Sequence, residues 1–259
     1  MSDKKKKKAK IGKIIGASAG TFFAILIMAV VGIYFTSGTL RGKLKVWMWK
    51  GNGTLRCSGN DVIKISGKTA HVWDIVIYAS GHCKVTLNKV DFKGKSGVYV
   101  SGNAVLAVKN STLHGTQNHG ISVNSGARAT VENTKVFGKS AAIYVGNGAV
   151  VTVKGGSLTS LRQGMHLGSD AEVRLENVKV KGRTDGVYVG SSAKVTAVGG
   201  VIEGKMRAFY VSSNAKITLW ETKTLGKLYK RRGATVSRRK LDKVPKPMAS
   251  RPLDLPTPK

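Results

Sequence analysis

The chain has 259 residues, 41% of them hydrophobic, which is enough apolar material for a substantial core and excludes a disordered protein. Its 44 Lys and Arg against 13 Asp and Glu give a formal net charge of +31, so an anionic partner is the natural counterpart. The excess is spread along the chain: residues 1–13 carry seven Lys against one Asp, residues 14–226 carry 26 basic against ten acidic side chains, and the stretch from Lys227 carries eleven against two.

Residues 1–13 read as a basic cytoplasmic N-terminus. From Ile14 to Leu40 no residue is charged, and a helix needs about 20 apolar residues to cross a hydrocarbon core, so residues 14–36 are expected to be a single transmembrane anchor. The run is too long for an ordinary cleaved signal peptide. Seven lysines precede it, whereas only Arg41, Lys43, Lys45 and Lys50 follow closely, which leaves the N-terminus in the cytoplasm and the rest of the chain outside it. Residues 37–54 then form a juxtamembrane segment and N-terminal cap, with Trp47 and Trp49 as candidate capping side chains.

Residues 55–226 repeat. With Gly97 as origin, equivalent residues are Val76, Gly120, Ala142, Gly164, Gly186 and Ala208, at spacings of 21 to 23 residues. One position after each origin come Ile77, Val98, Ile121, Ile143, Met165, Val187 and Phe209, with a further mostly apolar residue two places on, the period of a strand with one buried face. Seven after the origin lie Cys83 and a run of alanines from Ala104 to Ala215. Sixteen after it lie Phe92, Leu113, Val136, Leu158, Val180 and Ile202, and eighteen after it glycine occupies six of seven units. Each unit is therefore three short strands and their corners, and the fold class is all-β, a parallel β-helix (solenoid) of about 22-residue coils. These units resemble the pectin-lyase-like superfamily of parallel β-helix proteins, and especially its short, regular-coil, membrane-anchored bacterial members. That resemblance implies a right-handed coil, and a bacterial cytoplasmic membrane protein whose β-helix faces the periplasm or cell exterior.

Cys57 and Cys83 are 26 residues apart, close to one coil, a separation that brings the Cα atoms of adjacent coils within disulfide reach. A disulfide in an oxidising compartment is expected, the alternative being two buried thiols. Among outward positions, one row reads Tyr78, Tyr99, Ser122, Tyr144, His166, Tyr188 and Tyr210. It is a candidate binding row, an aromatic strip beside small residues, or else a ladder of cross-strand support. Lys109, Glu132, Lys154 and Glu176 alternate in sign along another row and read as charge pairing on a solvated face.

No catalytic residues are assigned. The resemblance implies clustered acids in enzymes of this fold, and the acids here are sparse: Glu132 and Glu176 are two coils apart with Lys154 between them, and Asp170 and Glu172 face no evident cleft. His71, His82, His114, His119 and His166 have no metal-ligand spacing, and His114 and His119 read as solvated turn residues. No nucleotide fingerprint is present, so neither cofactor nor metal is expected. Residues 227–259, which hold all five prolines, read as a basic, Pro-rich, disordered tail. The functional expectation is a non-enzymatic envelope protein that binds anionic polysaccharide or lipid head groups. Self-association into a homo-oligomer and a carbohydrate-active lyase or hydrolase are the alternatives; nucleic acid is disfavoured outside the cytoplasm.

Overall fold

The computed structural model describes residues 37–124 and 126–240, together with Gly32. The basic N-terminus, the expected anchor except for Gly32, and the residues beyond Lys240 lie outside the described residues, among which no helix is long and apolar enough to cross a membrane.

Each coil lays down three strands, for example Ser96–Val100 on a first face, Val105–Lys109 on a second and Thr112–Gly115 on a third. Every strand pairs in parallel with its equivalents in the neighbouring coils. The second face is a nine-stranded sheet from Val62–Ser66 to Thr235–Arg239. The first and third join into a 15-stranded sheet because one long strand, Val201–Val211, runs unbroken through the corner between them.

The inward rows are those the period predicts. Ile77, Val98, Ile121, Ile143, Met165, Val187 and Phe209 are aligned and fully buried, as are Cys83 and the alanine row. Burying each large apolar side chain of this kind contributes about 1.5–3 kcal/mol, and repetition along the stack makes that the main source of stability. On the outer surface the expected pairing is present, with Lys109 2.8 Å from Glu132 and Lys154 3.8 Å from Glu176.

The conserved-phase glycines of the third face serve close approach. A Cβ on Gly138, Gly182 or Gly204 would overlap the carbonyl oxygen of Ala141, Asp185 or Arg207 across the corner. A different corner, between the second and third faces, uses left-handed backbone at Lys89, Asn110, Asn133, Gly155, Asn177, Gly199 and Glu221. Asn and Gly tolerate that conformation best, which is why they dominate the row.

The N-terminal end is closed. Helix α1 (Gly38–Met48), capped by the Ser37 hydroxyl, lies across strand Val62–Ser66, and Gly38 and Gly42 let its backbone touch the Asn60 and Val62 carbonyls. Arg41 and Lys45 reach from α1 to the buried carboxylate of Asp61 at 2.8 and 2.6 Å. Burial would raise the Asp61 pKa, but the hydrogen bonds from Lys45 and Arg41 outweigh it and hold the carboxyl below its ordinary range. Trp49 then covers the core, meeting Phe92 edge to face at 5.7 Å, whereas Trp47 points outward and is 81% exposed. Cys57, the last residue of first-face strand Leu55–Cys57, and Cys83, just before second-face strand Lys84–Asn88 in the next coil, form the disulfide, with Cα atoms 5.9 Å apart.

At the other end the solenoid outruns the boundary expected at Gly226. Lys223–Lys230 pairs with Val201–Val211, and Thr235–Arg239 adds a last strand to the second face, so residues 227–240 are ordered coil rather than tail. The repeat hides this extension because the offset shortens: Trp220 pairs with Arg239, 19 residues on, and Lys230 replaces the valine of the inward row.

Candidate functional site

The outward residue of the first-face strands is held at a fixed phase by the buried residues on either side of it, such as Ile143 and Val145 around Tyr144. The register therefore aligns Tyr78, Tyr99, Ser122, Tyr144, His166, Tyr188 and Tyr210 one above another. Their rings lie nearly parallel. Tyr78 and Tyr99 stack at 5.0 Å. A second run continues from Tyr144 through His166, Tyr188 and Tyr210 with centroids 5.3, 4.6 and 5.0 Å apart.

Two members of that run escape the sequence reading. Tyr229 extends it past Tyr210 at 5.0 Å, on the strand formerly assigned to the tail. His119 begins it, its ring 5.1 Å from Tyr144, and is half-buried at the start of strand His119–Val123 rather than solvated in a turn. His114 is likewise on a strand, against Phe137 at 5.4 Å. The signal for His119 was weak because it sits one place before the origin, three before the aromatic row, and fills the space that Ser122 leaves.

Stacking uses up most of the ring faces. What the strip presents outward is ring edges, phenol hydroxyls and imidazole nitrogens, so a saccharide would meet hydrogen-bonding groups and not open aromatic platforms. Arginines lie over two of the rings: Arg56 over Tyr78 at 5.3 Å, and Arg207 and Arg231 over Tyr210 at 4.7 and 5.8 Å.

Beside the rings runs a polar chain contributed by neighbouring strands. Arg207 Nε and Nη2 donate to the two oxygens of the buried Asp185 at 2.6 and 3.3 Å, and Gln163 Nε2 donates to the same carboxylate at 3.4 Å. Gln163 Oε1 accepts from His166 Nδ1 at 2.7 Å, which leaves His166 Nε2 with its lone pair. Burial lowers the His166 pKa, as do repulsion from protonated His119 and from Arg162, against a smaller opposing pull from Asp185. Burial also lowers that of His119, whose Nδ1 is buried without a partner. Both imidazoles are neutral at neutral pH, and the strip can accept hydrogen bonds from hydroxyls as well as donate them.

Two further features flank the strip. The corner leading into the first face carries Lys95, Lys139, Arg162, Arg183 and Lys205, all exposed and with no carboxylate within ion-pair distance among the described residues; in the first coil the same corner carries Asp74, and in the coil between Lys95 and Lys139 it carries the uncharged Thr116, Gln117 and Asn118. The corner leading out of it is a ledge of small polar residues, among them Ser101, Asn124, Gly146, Gly168, Gly190 and Ser212. No group of three or more His, Cys, Asp or Glu among the described residues is placed to hold a metal ion.

Residues 96–222 match the sequence model of the family described as right handed beta helix region. The chain is a right-handed parallel β-helix. The chain is also distantly similar to the A-module of mannuronan C-5 epimerase AlgE4 from Azotobacter vinelandii, with 12% identity over 76% of this chain and 90% of that one, at a TM-score of 0.25. Similarity this loose carries no functional argument. No curated protein matches the sequence. In this β-helix the basic ridge, the ring strip and the small ledge occupy one side and run parallel to the long axis.

Proposed function

We propose that the chain is a non-enzymatic, membrane-anchored, extracytoplasmic protein that binds a linear anionic polymer along the first face of its β-helix. The observation that carries this reading is the ridge of Lys95, Lys139, Arg162, Arg183 and Lys205, unpaired by any carboxylate among the described residues and parallel to the strip. Coils stack at about 4.8 Å, so Lys139, Arg162, Arg183 and Lys205 offer one cation per coil, a spacing that suits a chain with one negative group per short repeat unit. The hydroxyl-rich strip and the small ledge would then receive the polymer's own hydroxyls.

Placement at a membrane rests on the uncharged stretch 14–36 and on the side chains at the closed end. Trp47 on α1 and Trp73 in the first coil are 81% and 95% exposed, and Leu40 and Met48 are exposed near them. Exposed tryptophan beside Lys43 and Lys50 suits the lipid–water interface. The closed end would face the bilayer, and the first face would extend away from it.

The test is co-sedimentation of the full chain in detergent with an insoluble polyuronate, a polyol phosphate and a neutral glucan at low and high salt. Retention on the anionic polymers that falls with salt is expected, as is its loss in the triple variant Arg162→Ala, Arg183→Ala, Lys205→Ala. Equal retention on neutral glucan, or full retention by the variant, rejects the reading.

One observation favours a second reading, a carbohydrate-active enzyme. The chain from Arg207 through Asp185 and Gln163 to His166 orients an imidazole whose free Nε2 could act as a base. Turnover of an anionic polysaccharide that disappears in His166→Ala while binding persists would establish it over the binding-only reading.

A further inference from the structure

The two ends of the β-helix differ. The N-terminal edge is covered by α1 and Trp49, but at the C-terminal end strands Lys223–Lys230 and Thr235–Arg239 each pair on one side only among the described residues. Leu228 shows the consequence. It continues the inward row after Phe209, which is 0% exposed, yet is itself 43% exposed because nothing among the described residues lies beyond it. Leu225, Tyr229 and Met206 are exposed around it.

This edge is also strongly charged. Between Thr222 and Lys240 there are eight basic residues, Lys223, Lys227, Lys230, Arg231, Arg232, Arg238, Arg239 and Lys240, and no acid. Lys230 occupies the inward row that Val211 fills one coil earlier, a charge at the mouth of the core. A bare edge ordinarily invites pairing with any other edge, and inward or clustered charge is what prevents it. Here the charge is all of one sign. It repels a second copy of the same end, and α1 covers the other end, so stacking of β-helices end to end is blocked both ways. It does not repel an acidic strand.

We propose that the C-terminal edge is a docking site for an extended acidic segment of another protein, which adds as one more parallel strand against Lys223–Lys230. Strand addition takes its affinity from main-chain hydrogen bonds and its specificity from alternate side chains. The register gives the sequence such a segment needs: acidic opposite Lys227, apolar opposite Leu228 to continue the buried row, aromatic opposite Tyr229 to continue the ring stack, and acidic opposite Lys230. This differs from the polymer site in place and in chemistry, since the ridge on the first face needs only charge whereas the edge needs a peptide backbone.

The test is fluorescence anisotropy of a labelled peptide with Glu-Val-Tyr-Glu at its centre, titrated with the full chain in detergent. The expected result is saturable binding, at least about tenfold weaker for the same peptide N-methylated at alternate amides and for the chain carrying Leu228→Glu, a substitution at an exposed site whose fold is checked by circular dichroism. The triple ridge variant should bind the peptide unchanged, which separates this result from the fate of the polymer reading. Absence of binding overturns the proposal. So does equal binding of the N-methylated peptide or of polyglutamate, which would show charge alone, and so does binding seen only after residues 241–259 are removed, which would make the chain's own tail the occupant.

Discussion

Lys89 stands in left-handed backbone at φ 51°, at the corner where the other coils have Asn110, Asn133, Asn177, Gly155 and Gly199. A side chain with a Cβ and no local hydrogen-bonding group is disfavoured there by about 1–2 kcal/mol, so Lys89→Gly is expected to raise stability by about 1 kcal/mol after the entropic cost of glycine, measured by urea denaturation. Gly155→Asn should do the reverse, because the side chain would run into Asn133 Oδ1 in the preceding coil. The two half-buried imidazoles give a second prediction. His119 and His166 have pKa values below the ordinary 6.5, so as pH falls through about 6.5 the unfolded chain binds protons that the folded chain does not. Stability should therefore decline from about pH 7 to about pH 5, and His166→Tyr, the residue type of its own row, should flatten that slope in urea titrations. The aromatic row itself was legible, because register carries a period-two phase from coil to coil. The chain from Arg207 to His166 was not, since its members come from three coils at two different phases and only folding sets Gln163 between the imidazole and Asp185.

Helix α1 behaves as an element whose attachment is concentrated at few points. Its stripe of Leu40, Lys43 and Trp47 is exposed, and what holds it is Val46 packed against the core, backbone contact through Gly38 and Gly42, and the Asp61 carboxylate between Arg41 and Lys45. Asp61→Asn leaves two cations without their buried counter-charge and is expected to cost about 3 kcal/mol, with amide exchange accelerated first in residues 38–66. The same attachment weakens in acid. The folded-state pKa of Asp61 is depressed, so its contribution is present above about 3.8 and is lost as pH falls through the folded value, a window well below that of the histidines. Reducing the Cys57–Cys83 bridge, a 26-residue loop, should remove about 3 kcal/mol on the chain-entropy account, read as a lower urea midpoint with dithiothreitol present. Strands of the interior coils could be read from the sequence because each needs two neighbours and hence a full set of inward apolar residues. The terminal elements could not. Neither GTLRGKLKVWM nor the strand Lys223–Lys230 has the repeat's pattern, because an end element contacts the core on one side and is free to carry charge on the other.

Across the whole molecule, contacts join each coil only to its neighbours, so stability is a sum of local terms and the two ends need not be equal. The closed end has a helix, a tryptophan, a buried ion-pair network and a disulfide, while the open end has two strands with one partner each. Amide exchange should therefore be graded: slowest from about Val98 to Val189, slower in Leu55–Ala79 than in Lys223–Arg239, and fastest at the open end. The charge distribution acts on the same stack. Five acids, Asp61, Glu132, Glu176, Asp185 and Glu203, are each paired with a Lys or Arg, which leaves the corner cations Lys139, Arg162, Arg183 and Lys205 facing one another from coil to coil at about 5 Å. Exposed like charges at that separation lie well within the screening length of about 10 Å at 0.1 M salt, so the ridge opposes folding and added salt relieves it. The melting temperature should rise between about 10 mM and about 500 mM sodium chloride, and Arg183→Glu should reduce that rise by supplying the missing carboxylate. A bound polyanion should raise it further at low salt, where its cations are least screened, and a neutral polymer should leave it unchanged. If the proposed polymer binds there, a row that costs the free protein stability would regain it in the complex, which would account for the unpaired cations of a chain that pairs five of its acids elsewhere.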